Sequence, residues 1–161
     1  MIQALVEYLP LNRSDSARYA KYEIFNAAPD EVSNHYLSKI KELMRGKSGI
    51  YIFYGSVGRA IYVGKAREQS LWAEVNLAYN RDRGDHQELY AVKHPTRNFR
   101  ENRLDRKIQR LQFYLHDIAR YISVYEVEKG FVDNMEAFLI RAFANGLMNG
   151  RIENFKVPSA G

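Results

Sequence analysis

There is no cysteine among the 161 residues of this chain. That excludes a disulfide framework, a thiolate zinc site and a thiol nucleophile together, and it suits a cytoplasmic protein, which is the expectation here. No apolar run approaches the roughly 18 residues that mark a membrane span, so no membrane association is expected. The opening Met1-Ile2-Gln3 carries no basic residue of the kind that starts a secretory signal. Repeats and low-complexity linkers are also missing. His86 and His94 lack metal-ligand spacing with each other or with a neighbouring acid. The glycine-rich stretch Gly55 to Gly58 has neither the lysine nor the hydroxyl residue of a phosphate-binding loop.

What is present is the material of one globular domain. The hydrophobic fraction is 46% and the charged fraction 27%, ordinary values for a chain with a single core. The formal charge of +5 permits a polyanionic partner without requiring one. Ile2 to Tyr8 and Tyr22 to Phe25 read as strands. Pro29-Asp30 opens a helix carried by Val32, Tyr36, Leu37, Ile40, Leu43 and Met44 and stopped at Gly46. A hairpin occupies 49–64. Ser70 then caps a helix carrying Leu71, Trp72, Val75 and Tyr79. Asp82 to Asn98 is expected as an excursion over the surface, followed by a helix from Phe99 to Leu115, where His116 places a cation at the C-terminal end. Ile118 to Val127 alternates like a strand, and Asp133 caps a last helix that ends near Gly146. The expected fold is a single α+β domain, a small central mixed or antiparallel sheet flanked by helices. Residues 1–48 form an N-terminal extension suited to DNA or dimer contacts, 49–154 the main body and 155–161 a tail.

Three patterns carry chemistry. In the hairpin, Gly49-Ile50-Tyr51 and Tyr62-Val63-Gly64 each deliver one tyrosine, with ten residues between the two. If Gly55 to Gly58 is a four-residue loop, Tyr54 pairs with Arg59 and Tyr51 lies opposite Tyr62 on one face of the sheet. Two adjacent phenols can hold one water or one phosphate oxygen; equally, a core hairpin favours tyrosine for its own sake. In the helix expected from Phe99 to Leu115, Arg100, Arg103, Arg106, Lys107 and Arg110 fall within an arc of about 120°. Leu104, Ile108, Leu111 and Leu115 fill an adjacent arc, so the helix docks by its leucines and keeps a cationic strip, either a solvated face or a phosphate-binding one. In the last helix, Met135, Leu139, Ile140, Ala142 and Phe143 define an apolar face, and Glu136 falls between Phe143 and Ile140. A carboxylate directed inward is costly unless it binds a metal or pairs with a nearby arginine.

From Gly49 to about Asn154 the chain resembles the GIY-YIG nucleases. Val63 replaces the isoleucine of the second tripeptide, and Lys65-Ala66 continues it in a way common in that family. The resemblance implies a divalent-metal-dependent endonuclease acting on double-stranded DNA. Tyr51 would orient or deprotonate the attacking water, and Tyr62 would hold the scissile phosphate or the same water. Glu136 would bind one Mg²⁺ (or Mn²⁺). The position usual for the family's arginine is Trp72 here, so Arg103 is assigned as the phosphate clamp on a displaced helix, with Lys107 in place of the family's histidine or tyrosine. Arg81, Arg100 and Arg106 stay in contention for the clamp. Asn149 matches the family's late asparagine, with Asn145 and Asn154 as alternatives. Lys65, Arg97, Arg100, Arg106 and Arg110 are the expected DNA contacts. A stand-alone catalytic body looks most like a restriction-type enzyme, which implies a pair of chains on one duplex and a cognate DNA methyltransferase. A binding or assembly module without turnover, and a structure-selective repair nuclease, are the other two readings.

These assignments predict that Arg103→Ala lowers turnover by about 10²–10³-fold, the cost of losing a donor to developing phosphoryl charge. Arg100→Ala and Arg106→Ala should mainly weaken DNA binding and flatten its salt dependence. Single-turnover cleavage and binding titrations on all three variants separate the cases, and equal, mild losses throughout would reject the displaced-helix assignment.

Overall fold

β-branched and aromatic residues crowd the middle of the chain, and there they form the interior strand of a four-stranded sheet. The computed structural model describes residues 1–16, 21–26, 32–81, 114–143 and 147. Within these, the elements run β1 (Ile2–Pro10), β2 (Ser14–Ser16), β3 (Lys21–Glu23), α1 (Val32–Arg45), β4 (Gly49–Tyr54), β5 (Ala60–Ala66), α2 (Leu71–Asn80), α3 (Leu115–Ile118), β6 (Tyr121–Val127) and α4 (Val132–Ala142). The main sheet has the order β1-β6-β4-β5, antiparallel at every pairing, and β2 with β3 forms a separate small ladder. The fold is therefore α+β. No helix among the described residues is long and apolar enough to cross a membrane.

All six residues of β4 are buried, because both faces of the sheet are covered. Tyr51 and Phe53 face a core built with Ile40 and Met44 of α1 and Leu71, Val75 and Tyr79 of α2. Ile50, Ile52 and Tyr54 face the other way, against Val132, Met135, Leu139 and Ile140 of α4. The first 48 residues belong to this architecture. Val6, Ile24, Phe25, Ile40 and Met44 all lie in the first core, and β1 is hydrogen-bonded to β6.

Several local readings are met. Ser70 is the N-cap of α2, its side chain accepting from the Ala73 amide at 3.3 Å. α1 ends at Arg45, before Gly46, and both N-terminal strands form. The short β3 is held by side chains as well as by β2. Asn80 Oδ1 accepts from the Tyr22 amide at 2.9 Å, Asn80 Nδ2 donates to the Tyr22 carbonyl at 2.7 Å, and Asn76 Oδ1 accepts from the Ile24 amide at 3.0 Å. Two helical asparagines four residues apart thus supply backbone partners that a neighbouring strand would otherwise provide.

The hairpin register differs from the expected one. Tyr51 lies opposite Gly64, and it is Phe53 that faces Tyr62, while Tyr54 faces Ala60. Two displacements of one residue produce this. The loop closes through Gly55 N–H to the Arg59 carbonyl at 3.0 Å, which adds one residue to the turn. A bulge between Phe53 and Tyr54 then leaves Ile61 without a cross-strand partner. One displacement would have sent the tyrosines to opposite faces; two return them to the same face as diagonal neighbours. Gly64 is required by that register, because a Cβ there would come within 2.2 Å of the Tyr51 ring.

Two boundaries also shift. Asp133 is not the cap of α4. A 3₁₀ turn at Lys129–Phe131 leads directly into that helix, Phe131 occupies the N-cap, and Asp133 sits in the first turn. The last strand begins at Tyr121 rather than Ile118, since Leu115–Ile118 is the short helix α3 and the Arg120 amide donates to the Tyr54 carbonyl at 2.8 Å. His116 therefore belongs to α3. The excursion at 82–98, the Phe99 end of the expected basic helix and the Gly146 end of the last helix lie outside the described residues.

The close approaches at two glycines predict large effects from one methyl group. A Cβ on Gly49 would meet the Tyr125 carbonyl oxygen at 1.9 Å, and one on Gly64 would meet the buried Tyr51 ring at 2.2 Å. Gly49→Ala and Gly64→Ala should each cost about 1–3 kcal/mol or more, lowering Tm by roughly 2–4 °C per kcal/mol. Gly46→Ala, with nothing within 4 Å of its Cβ, should melt close to the parent. Thermal unfolding of the three variants checks the register directly.

Candidate active site

β5 has one strand neighbour among the described residues, so its outer side is an edge of the sheet. Alternation along it separates two groups of side chains. Tyr62 and Gly64 point with Tyr51 and Phe53 toward the α2 layer, while Val63 and Lys65 point with Ile52 and Ile50 toward α4.

On the first face the Tyr51 and Tyr62 rings lie 6.2 Å apart, centroid to centroid. They are not equivalent. Tyr51 is only 2% exposed, and its hydroxyl donates to the Glu74 carbonyl of α2 at 3.4 Å. Tyr62 is half-buried at the edge strand, so its phenol is the more accessible to a ligand.

On the second face four charges alternate. Lys65 Nζ lies 2.8 Å from Glu136 Oε2 and 2.9 Å from Asp133 Oδ1, and Arg67 Nη1 lies 2.7 Å from Asp133 Oδ2. Glu136 is anchored by the docking of Met135, Leu139 and Ile140 against the sheet, and its side chain keeps 20% exposure. Its described partner is thus a lysine on the hairpin rather than an arginine. The hydrogen bond to Glu136 is the main cause that raises the Lys65 pKa, opposed by partial burial and reinforced by Asp133. The hydrogen bond from Lys65 is likewise the main cause that holds Asp133 below the ordinary carboxylate range. Sequence reasoning missed Arg67 and the role of Asp133. Lys65 near the end of β5 and Arg67 just past it stand two residues apart, and Asp133 and Glu136 share one side of a helix at i, i+3, so a signal for four complementary charges was there.

The structure brings Tyr51 together with Tyr62, and Lys65 together with Glu136. The two pairs occupy opposite faces of the sheet, and both border the β5 edge. Arg81 is exposed at the end of α2. Arg97, Arg100, Arg103, Arg106, Lys107, Arg110 and Asn149, with the alternatives Asn145 and Asn154, lie outside the described residues.

The donor chemistry suits Mg²⁺ or Mn²⁺. Such an ion takes oxygen ligands, needs only one or two carboxylates and keeps several waters. Glu136 and Asp133 would hold it, in the region where the Lys65 ammonium now neutralises both. Among the described residues no three acidic or histidine side chains converge, so water would complete the coordination. In comparisons with known proteins, no family model matches the chain, and neither a curated protein nor a solved structure matches it.

Removing the shared cation predicts a stability defect with a definite pH profile. The Lys65 contribution is complete below the lysine's ordinary 10.5 and is lost as pH rises through its higher folded value. The Asp133 contribution is complete above the ordinary 3.8 and is lost as pH falls through its lower folded value. Lys65→Met should therefore lower Tm by a few degrees at neutral pH, a modest amount because these groups are solvent-screened. The difference from the parent should shrink at both alkaline and strongly acidic pH. Melts across pH check it, and a difference that grew toward either extreme would contradict the ion-pair assignment.

Proposed function

We propose that this chain is a divalent-metal-dependent endonuclease that hydrolyses phosphodiester bonds in double-stranded DNA, of the restriction type. One observation carries the reading: the edge strand β5 presents Tyr62 on one face and Lys65 on the other, and Lys65 meets the Glu136 carboxylate at 2.8 Å. Three side chains that the GIY-YIG resemblance assigns to one reaction are thereby tied to seven residues of hairpin. An edge strand also offers the open side that a duplex backbone needs.

The chemistry follows from accessibility. Tyr62 holds the scissile phosphate or the attacking water through its phenol. Tyr51, fixed by the Glu74 carbonyl and packed against Tyr62, orients that group and the water beside it. Lys65, on the opposite face of β5 from Tyr62, steadies Glu136. Glu136, with Asp133 beside it, would hold a hydrated Mg²⁺ or Mn²⁺, and that ion would supply positive charge for the phosphate and the 3′ oxygen. Arg103 and Lys107 are assigned to the same phosphate by the resemblance, and Arg97, Arg100, Arg106 and Arg110 to the flanking backbone.

A second reading has its own support. Tyr51 is almost fully enclosed, and Glu136 is already neutralised by Lys65; both suit a nucleic-acid-binding or assembly module that keeps the architecture without turnover. Supercoiled plasmid incubated with Mg²⁺ decides between them. The nuclease should convert it to nicked, linear or discrete products. Glu136→Gln should reduce the rate at least ~10²-fold with DNA binding nearly unchanged and Tm lowered by no more than the few degrees expected of Lys65→Met, and Tyr62→Phe should fall by about 10²–10⁴-fold. Wild-type cleavage by Glu136→Gln would sink the metal assignment, and near-normal rates in Tyr62→Phe and Tyr51→Phe would return the hairpin to a packing role.

A further inference from the structure

On the α2 side of the molecule, past the C-terminal end of that helix, lies a cavity of about 260 Å³ that the nuclease reading does not use. Five of its lining residues bear on its chemistry: Arg13 from the β1–β2 connection, Tyr79 of α2, His116 and Asp117 of α3, and Arg120 before β6. We propose that this pocket binds a terminal phosphate group, either free phosphate or the phosphomonoester end of a nucleotide strand.

Both guanidiniums are held in place without neutralisation. Arg13 lies over the Tyr22 ring, 4.1 Å from its centroid. Arg120 donates to the Ala119 carbonyl at 3.1 Å and to the Asp117 carbonyl at 3.4 Å. Neither forms an ion pair with a carboxylate among the described residues. Asp117 is the opposing charge, and one of its oxygens already accepts from the Tyr114 amide at 3.2 Å. Two guanidiniums against one carboxylate leave the cavity positive even with a neutral imidazole.

The imidazole and the phenol add donors. His116 is clamped by rings, stacked on Tyr114 at 4.6 Å and edge-on to Tyr22 at 4.7 Å and Tyr79 at 5.9 Å. Its Nδ1 comes within 3.0 Å of Asp117 Oδ1 but is not aligned for a hydrogen bond, and it stands buried without a partner. A buried nitrogen of that kind calls for a ligand or water. Burial is the main cause that raises the Tyr79 pKa, with Arg13 and Arg120 opposing it, so at neutral pH its phenol remains an O–H donor. Two guanidinium forks, a phenol and an imidazole offer more donors than the two oxygens of a carboxylate can use. A phosphate, with three or four oxygens and up to two charges, matches them.

This inference does not depend on the nuclease reading, because it is tested without metal or turnover. The probe is inorganic phosphate, followed by calorimetry and by the His116 ring resonances, which His116→Gln identifies. A saturable shift is expected, with Arg13→Gln and Arg120→Gln each raising Kd by about tenfold. Arg45→Gln removes an equal charge at the end of α1 and should leave Kd unchanged. Arg13 and Arg120 are both exposed, so these variants should melt with the parent. A shift that fails to saturate, or Kd values equal across the three arginine variants, would overturn the site. Oligonucleotides with and without a 5′-phosphate identify the source. A phosphate-dependent gain that disappears in Arg120→Gln supports a strand end as the ligand, and equal binding of both strands beside saturable inorganic phosphate supports a free phosphate.

Discussion

Everything in this architecture depends on the enclosure of β4. A six-residue strand buried at every position needs a layer on each side, and the chain provides α1 and α2 on one side and α4 on the other. Burying alternate residues in two separate cores also fixes the register, because a slip of one residue would exchange Tyr51 and Phe53 with Ile50 and Ile52. The close approaches at Gly49 and Gly64 follow from the same demand. Among the described residues β5 is an edge strand beside the enclosed β4, and it presents side chains to both layers.

The charged group on the α4 face shows how a carboxylate can be tolerated in a docked helix. Lys65, Arg67, Asp133 and Glu136 are two cations and two anions, so the cluster is neutral as it stands. Lys65 is 40% exposed on a flexible stem, and it can yield its place to a competing cation at lower cost than a buried arginine could. Under the proposed function, stability and metal affinity would be opposed at Glu136: whatever the lysine contributes to holding α4, an incoming ion would first have to displace.

Much of the fold was legible because the signals were local. The Ser70 cap, the stop before Gly46, the glycine-rich turn and the alternating strand before Val127 each depend on a few adjacent residues. The register was not legible, since the bulge at Ile61 and the extra residue closing the loop leave no mark in composition and matter only together. The position of Asp133 was misread because a capping carboxylate and a first-turn carboxylate look alike until the preceding 3₁₀ turn is known. Glu136 was recognisable as a carboxylate out of place, yet its partner was not, because pairing a strand lysine with a helix acid requires knowing how α4 lies on the sheet. The pocket around His116 was the least visible part, drawing on three segments far apart in the chain.

The grip of Asn76 and Asn80 on β3 has a consequence for how the molecule opens. Backbone amides of Tyr22 and Ile24 end on side chains of a helix, so the β2–β3 ladder is fastened by two amide groups rather than sewn into the main sheet. That unit is held by those bonds and by the burial of Ile24 and Phe25 in the first core, so releasing it means opening the core as well as the ladder. Slow hydrogen exchange at those two amides would then measure the integrity of α2. Because Tyr22 supports Arg13, loss of that grip would also unmake one wall of the cationic cavity.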